Sequence, residues 1–261
     1  LADSQENLDN MSINNLPFRE CLIMKPVAIF RFFPIEGPGY FATFLDKHHI
    51  PWQLICLDEG VTPPESVELY SGVVLMGGPM SVHDKLPWID SVLRLIKQAV
   101  TADIPVLGHC LGGQLLSTAL GGIVTNSPVK ELGWGRVNVA SSPIARDWLH
   151  SVSEFETFHW HGETFSLPAG ATRLLSSANC VNQAFVLNMH LGMQCHVEMT
   201  EEMVHTWCQV NAIELAQSQD SPAVLSLDEI QADLPRRLVA LQSVADRLYG
   251  KWILALKVDL P

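Results

Sequence analysis

Positive charge is scarce in this chain: 16 Lys and Arg stand against 28 Asp and Glu, a formal net charge of −12. With no cationic surplus to pair with phosphates, the composition argues against a general nucleic-acid binder or a protein held on an anionic membrane surface. Long apolar runs are missing as well; none reaches the ~18 residues that a membrane-crossing helix requires. The six cysteines (Cys21, Cys56, Cys110, Cys180, Cys195 and Cys208) form no CxxC pair. Neither a zinc site nor a disulfide framework is therefore indicated, and a reducing, cytoplasmic setting is the simplest reading. Residues 1–23 carry acids where a secretory signal would carry positive charge, and they lack a long apolar centre. They are read as an arm outside the fold.

What is present is core. Apolar residues make up 48% of the 261 and charged residues only 17%, enough for one large α/β domain over 24–261 whose last part, 200–261, is helical. Four apolar runs of strand length, at 25–33, 52–57, 71–78 and 104–110, alternate with helical patterns near 40–50, 87–104 and 111–122. In the strongest of these helices Pro87 stands at the start, and Ile89, Val92, Leu93, Ile96 and Val100 fall on one face. Strands apolar throughout, alternating with helices, imply a mostly parallel, flavodoxin-like sheet covered on both faces. From about 123 shorter strand candidates follow ("GRVNVASS", "TRLLSSA", "QAFVLN", "LGMQCHVE"). Beyond them come two helical stretches, 200–217 and 235–250, divided by the polar "QSQDSPAVLSLDE".

The stretch "VLGHCLGGQLL" (106–116) places Cys110 on a sharp strand-to-helix turn. Such an elbow lifts a side chain off the sheet edge and sets the backbone N–H groups of the new helix beside it. Gly108, Gly112 and Gly113 supply the small residues that let the backbones approach. A helix N-terminus favours negative charge, and the thiolate is the reactive form of cysteine. Cys110 is thus read as a nucleophile rather than a buried structural thiol.

"GHCLGGQLL" resembles the nucleophile motif of the class I (triad-type) glutamine amidotransferases, and further segments match in the family's order. "LMGGPMSV" (75–82) is similar to the glycine loop that completes the oxyanion hole. "KELGW" (130–134) is similar to a segment of the GMP-synthase-like branch, and "GMQCHVE" (192–198) to the segment carrying the catalytic histidine and glutamate. The resemblance spans roughly residues 25–200. It implies His196 as the base and Glu198 as the group that orients it. Residues i and i+2 of an extended chain face the same side, so the carboxylate can reach the imidazole. Where the family usually has an aromatic before the histidine and a proline after it, this chain has Cys195 and Val197.

The N–H groups of Gly78 and Leu111 are the candidate oxyanion hole, and Gln114, one turn past the elbow, is a candidate contact for the substrate's polar end. "FHWHGETF" (158–165) resembles the segment lining the family's glutamine pocket, which implies that Trp160, Gly162 and Glu163 touch substrate. His159 and His161 lie close in sequence but without matching Cys or carboxylate spacing, so no metal and no cofactor is expected.

The chemistry implied is hydrolysis of the glutamine side-chain amide through a γ-glutamyl thioester. No ATP-activating domain with a phosphate-binding glycine loop follows residue 200. The ammonia acceptor is then a separate synthetase, or there is none. Two alternatives stay open: a hydrolase of γ-glutamyl peptides or γ-glutamyl amines, and a non-catalytic regulatory or binding module on the same fold.

Overall fold

A computed structural model describes residues 24–257; the stretch read as an arm and the last four residues lie outside it. The first half follows the apolar pattern. β1 (Val27–Arg31) leads into α1 (Gly39–Lys47), then β2 (Trp52–Cys56) and β3 (Gly72–Leu75). α2 (Ile89–Thr101), β4 (Val106–His109) and α3 (Leu111–Ala119) complete it. The buried face of α2 is Ile89, Val92, Leu95, Ile96 and Ala99; Leu93 and Val100, expected on that face, are only partly buried at its edges.

The second half departs from expectation. β5 (Val124–Val139) is a 16-residue strand, not a short one beginning near 135. It pairs antiparallel with the 12-residue β6 (Glu154–Phe165), with a register shift between Asn126 and Glu131. A helix absent from the sequence reading, α4 (Pro143–Leu149), sits between them; the Ser142 hydroxyl accepts from the Ala145 N–H at its start. β7 (Thr172–Ser176), β8 (Ala184–Leu187) and β9 (His190–Met193) follow. Then come α5 (Glu201–Val210), α6 (Ala212–Gln217), the two-residue β10 (Ala223–Val224), α7 (Leu227–Gln231) and α8 (Leu234–Ile253). The polar spacer at 217–229 thus holds β10 and the start of α7, whose Ser226 and Glu229 form a reciprocal capping box.

The strands form one sheet in the order β10-β5-β7-β8-β9-β4-β3-β1-β2, with β6 paired to β5. Its parallel part, β2-β1-β3-β4-β9, has the flavodoxin-like order. Alternation along each strand divides the core. Val27, Ile29, Val74 and Leu107 pack with α1, α4, α5 and α8 on one face, while Ala28, Phe30, Val73 and Val106 pack with α2 and α3 on the other. That two-sided burial is why these strands read as apolar without alternation. Among the described residues no helix is long and apolar enough to cross a membrane.

Candidate functional site

In an open parallel sheet the chain leaves each strand at its carboxyl end, and the loops there gather into one crevice. Four neighbouring strands contribute here: β1 is followed by Glu36, β3 by Gly77 and Gly78, β4 by Cys110, and β9 by Gln194, His196 and Glu198. Of these residues Glu36, Gly78 and Cys110 line a cavity of about 270 Å³, together with Gln114, Trp160 and Glu163.

Cys110 has φ +48° and ψ −106°, a strained conformation for a residue with a Cβ, and it is 6% exposed. The elbow is tight. A Cβ on Gly108 would lie 2.4 Å from the Gly112 carbonyl group, and one on Gly112 would lie 2.1 Å from the Leu75 carbonyl oxygen. The Cys110 N–H donates to the Met193 carbonyl and the Gly112 N–H to that of Met76, so the elbow is fastened to the ends of β9 and β3. Among the described residues no backbone carbonyl takes up the N–H groups of Gly78 and Leu111. These residues adjoin, since a Cβ on Gly78 would come within 2.9 Å of the Leu111 side chain.

His196 and Glu198 lie just past β9 rather than within it. An isolated bridge holds His196 to Phe158: its N–H donates to the Phe158 carbonyl at 2.8 Å, and the Thr157 hydroxyl donates to the His196 carbonyl at 2.9 Å. The imidazole stands edge-to-face on Trp207, 4.9 Å between centroids. Its Nδ1 is 2.6 Å from Glu198 Oε1, and among the described residues its Nε2 has no hydrogen-bond partner. Burial works against charge on this ring, yet the Glu198 carboxylate and Cys110 beside it raise its pKa well above the ordinary 6.5. For Glu198 burial alone would raise the pKa; the neighbouring His109 and His196, with the His196 hydrogen bond, hold it down at about 2. Cys195 and Val197, the departures from the family pattern, are fully buried and keep this segment in the core.

The other candidates are all near the cavity, in differing roles. Gln114 is neither solvent-facing nor free: it is buried, and its Nε2 donates to Gln194 Oε1 at 3.2 Å. Gln194 in turn sets its own Nε2 3.5 Å from Cys110 Sγ. Trp160 lines the cavity with its indole N–H on Glu214 Oε2 at 2.9 Å, and its carbonyl lies 3.9 Å from Cys110 Sγ. Gly162 and Glu163 also line it, and Glu163 accepts from the Ser81 hydroxyl at 3.0 Å.

Several members of the site were not found from sequence. His109, one residue before the nucleophile, puts Nε2 3.6 Å from Glu198 Oε2 and 3.0 Å from the Tyr249 hydroxyl. Burial lowers its pKa, against the pull of Glu198. Glu36 and Glu214 carried no motif, and Gln194, although inside "GMQCHVE", was not singled out. His109 and Tyr249 stand 140 residues apart, a pairing no local pattern can reveal.

A second group of chemistry-bearing residues exists. Ligand-capable atoms of Glu131, His161 and Cys180 all lie within 4.8 Å of one another. Glu131 already accepts from Gln183 Nε2 at 2.8 Å and from the Ser177 hydroxyl, with His161 Nε2 3.1 Å away. Cys180 is held by the Thr164 hydroxyl, burial raises its pKa, and it does not line the cavity. His159, with both ring nitrogens unpartnered, is pushed down to about 3 by burial and stays neutral.

This geometry belongs to a known class. The family profile "Glutamine amidotransferase class-I" matches residues 56–207, and the chain belongs to that family. Among curated proteins it is similar to the glutamine amidotransferase-like protein YfeJ of Salmonella typhimurium, 35% identical over 70% of this chain and 79% of the relative. It is also similar to one subunit of the glutamine-hydrolyzing GMP synthase of Saccharolobus solfataricus, 31% identical over 52% of this chain and 72% of that one. Among solved structures, a glutamine amidotransferase of Methylobacillus flagellatus superposes with a TM-score of 0.89. It is 44% identical and covers 91% of this chain and 98% of its own.

Proposed function

We propose that the chain hydrolyses the side-chain amide of glutamine to glutamate and ammonia through a γ-glutamyl thioester on Cys110. The observation that carries the reading is a thiol on a strained elbow that lines a small cavity, with an imidazole–carboxylate pair beside it and two backbone N–H groups that no described backbone carbonyl takes up. His196 takes the thiol proton as the sulfur attacks the amide carbon, and Gly78 and Leu111 donate to the oxyanion that forms. His196 then passes the proton to the amide nitrogen, which leaves as ammonia. Glu198 keeps the ring oriented while His196 activates the water that releases glutamate.

Two features favour an amino-acid-sized ligand. A volume of about 270 Å³ lies just below the usual range of small-molecule pockets, which begins near ~300 Å³. The lining includes Glu163 and Glu214 but no Lys or Arg, a setting for an ammonium group. In the rival constellation of Cys180, His161 and Glu131 the sulfur does not line this cavity, and the carboxylate is already engaged by Gln183 and Ser177. By analogy with the relative that forms part of a GMP synthase, a separate synthetase that consumes the ammonia is part of this proposal.

The test is amine release by wild type beside Cys110→Ala, over glutamine, γ-glutamyl dipeptides and γ-glutamyl amines. Cys110-dependent ammonia from glutamine is the expected result. Preference for a bulkier γ-glutamyl compound would replace the reading with a γ-glutamyl hydrolase. Silence across the panel would sink the claim that this chain is active by itself.

A further inference from the structure

Glu36 has no place in the mechanism above, yet it borders the reacting groups. It lies in the loop between β1 and α1, and that loop is tied to the His196–Glu198 segment on both sides. Next to Glu36, the Ile35 carbonyl accepts from the indole N–H of Trp207, the ring on which His196 stands. Four residues on, the Tyr40 N–H donates to the Glu198 carbonyl at 2.8 Å. The carboxyl itself rests over Gly77: a Cβ there would lie 2.1 Å from Glu36 Oε2 and 3.2 Å from His196 Cε1. Carboxyl and imidazole edge therefore meet immediately before Gly78, one of the two oxyanion donors.

Among the described residues this carboxyl makes no hydrogen bond and no ion pair, although it lines the cavity with Cys110. The acceptor is open to the cavity and free to take a donor from the ligand. The oxyanion is not one, because two negative groups repel. On the reacting carboxamide the only donors are the N–H groups of its nitrogen, the atom to which His196 delivers its proton.

We propose that Glu36 is a third catalytic side chain, whose carboxyl accepts a hydrogen bond from the leaving nitrogen as the carbon–nitrogen bond breaks. The proposal rests on the reading of Cys110 as nucleophile. In the step concerned, the Cys110 sulfur–carbon bond forms and the carbon–nitrogen bond breaks. The thiol proton travels through His196 to the nitrogen, which departs as neutral ammonia. Glu36 gains and loses no proton overall; it holds the nitrogen while positive character develops there.

Burial pushes the Glu36 pKa up to about 7, against the pull of His196 and with the push of Glu198 and Glu214. The groups facing it are His196 and Glu198 from beyond β9, Glu214 from α6, and Cys110 and Glu163 across the cavity. Its ionised share, the better acceptor, therefore grows as pH rises through about 7.

The experiment compares wild type, Glu36→Gln and Glu36→Leu on glutamine and on glutamate γ-methyl ester, whose leaving group has no N–H. In single turnover at saturating glutamine, Glu36→Leu slows ammonia release about 10- to 100-fold while the half-saturating concentration moves less than about threefold. Glu36→Gln, which keeps an acceptor oxygen, falls between and loses the pH dependence near 7. Methanol release from the ester stays within about threefold of wild type in both variants.

Equal losses on amide and ester would overturn the proposal in favour of a packing role. A rise in half-saturation alone would overturn it in favour of a contact to the α-amino group. Unchanged kinetics would overturn it outright. Wild type silent on both substrates would instead remove the glutaminase reading and this role with it.

Discussion

Cys110→Ala is expected to release no amine from any substrate that wild type turns over, a fall of about 10⁴-fold or more. That fall corresponds to about 5 kcal/mol or more of lost transition-state stabilisation. Alanine retains the Cβ, and with it the backbone of the elbow, but it has no electron pair to offer the amide carbon. His196 then has no proton to collect, and the N–H groups of Gly78 and Leu111 have no oxyanion to hold. Stability should change little, because the side chain's polar contacts are long ones, 3.5 Å from Gln194 Nε2 and 3.9 Å to the Trp160 carbonyl. The checks are amine release, the thermal unfolding midpoint, and mass spectrometry after an electrophilic glutamine analogue. Wild type should gain one adduct and the variant none. Residual turnover within tenfold of wild type would move the nucleophile elsewhere, with Cys180 the next thiol to replace.

Glu198→Gln should be nearly as damaging, lowering kcat by about 10³- to 10⁴-fold with KM little changed. The carboxylate accepts from His196 Nδ1 at 2.6 Å and so leaves Nε2 as the nitrogen that exchanges a proton with the thiol. A glutamine there can turn its amide N–H toward Nδ1, which moves the ring proton to Nε2 and leaves no base for the thiol. The substitution also has a stability signature. Glu198 is held at about 2 against an ordinary 4.5, so its contribution is present above about 4.5 and lost as pH falls toward 2. His196 is raised above 6.5, so its contribution is complete below 6.5 and lost as pH climbs through the higher folded value. The gap in thermal midpoint between wild type and Glu198→Gln should therefore be widest between about 4.5 and 6.5 and should shrink on both sides. A gap independent of pH would mean that the pair does not carry these shifts.

The elements that sequence reading recovers are those with a single physical signature. β1 to β4 are buried on both faces and read as apolar runs; α2 shows an apolar stripe; Cys110 sits among glycines that the close approach of Leu75 and Gly112 requires. The β5–β6 ribbon was not legible because its burial is irregular. Residues 125–130 are partly or fully exposed, Pro128 interrupts them, and the register shifts there, so only the part past 135 resembles a strand. In β6 the density of polar and aromatic residues at 158–165 points to a lining segment, and the strand that carries it goes unseen.

The site divides in the same way. Cys110, His196 and Glu198 are close in sequence to motif glycines or to each other. Glu36 stands in a Gly/Pro turn, where a lone carboxylate ordinarily means solvent, and only the three-dimensional path of β1 and β9 brings it to the imidazole. Gln194 lies within the "GMQCHVE" segment, but nothing in its local pattern shows that its amide reaches Cys110.

The backbone at Cys110 has a consequence for the long-term history of such a chain. A residue at φ +48° and ψ −106° is strained by its own Cβ, at about 1–3 kcal/mol, and glycine alone is free of that strain. One change that removes the thiol, Cys110→Gly, is thus also one that relaxes the fold. Durability and activity pull in opposite directions at this one position. A lineage released from the need for catalysis would find an inert, hardier scaffold a single substitution away.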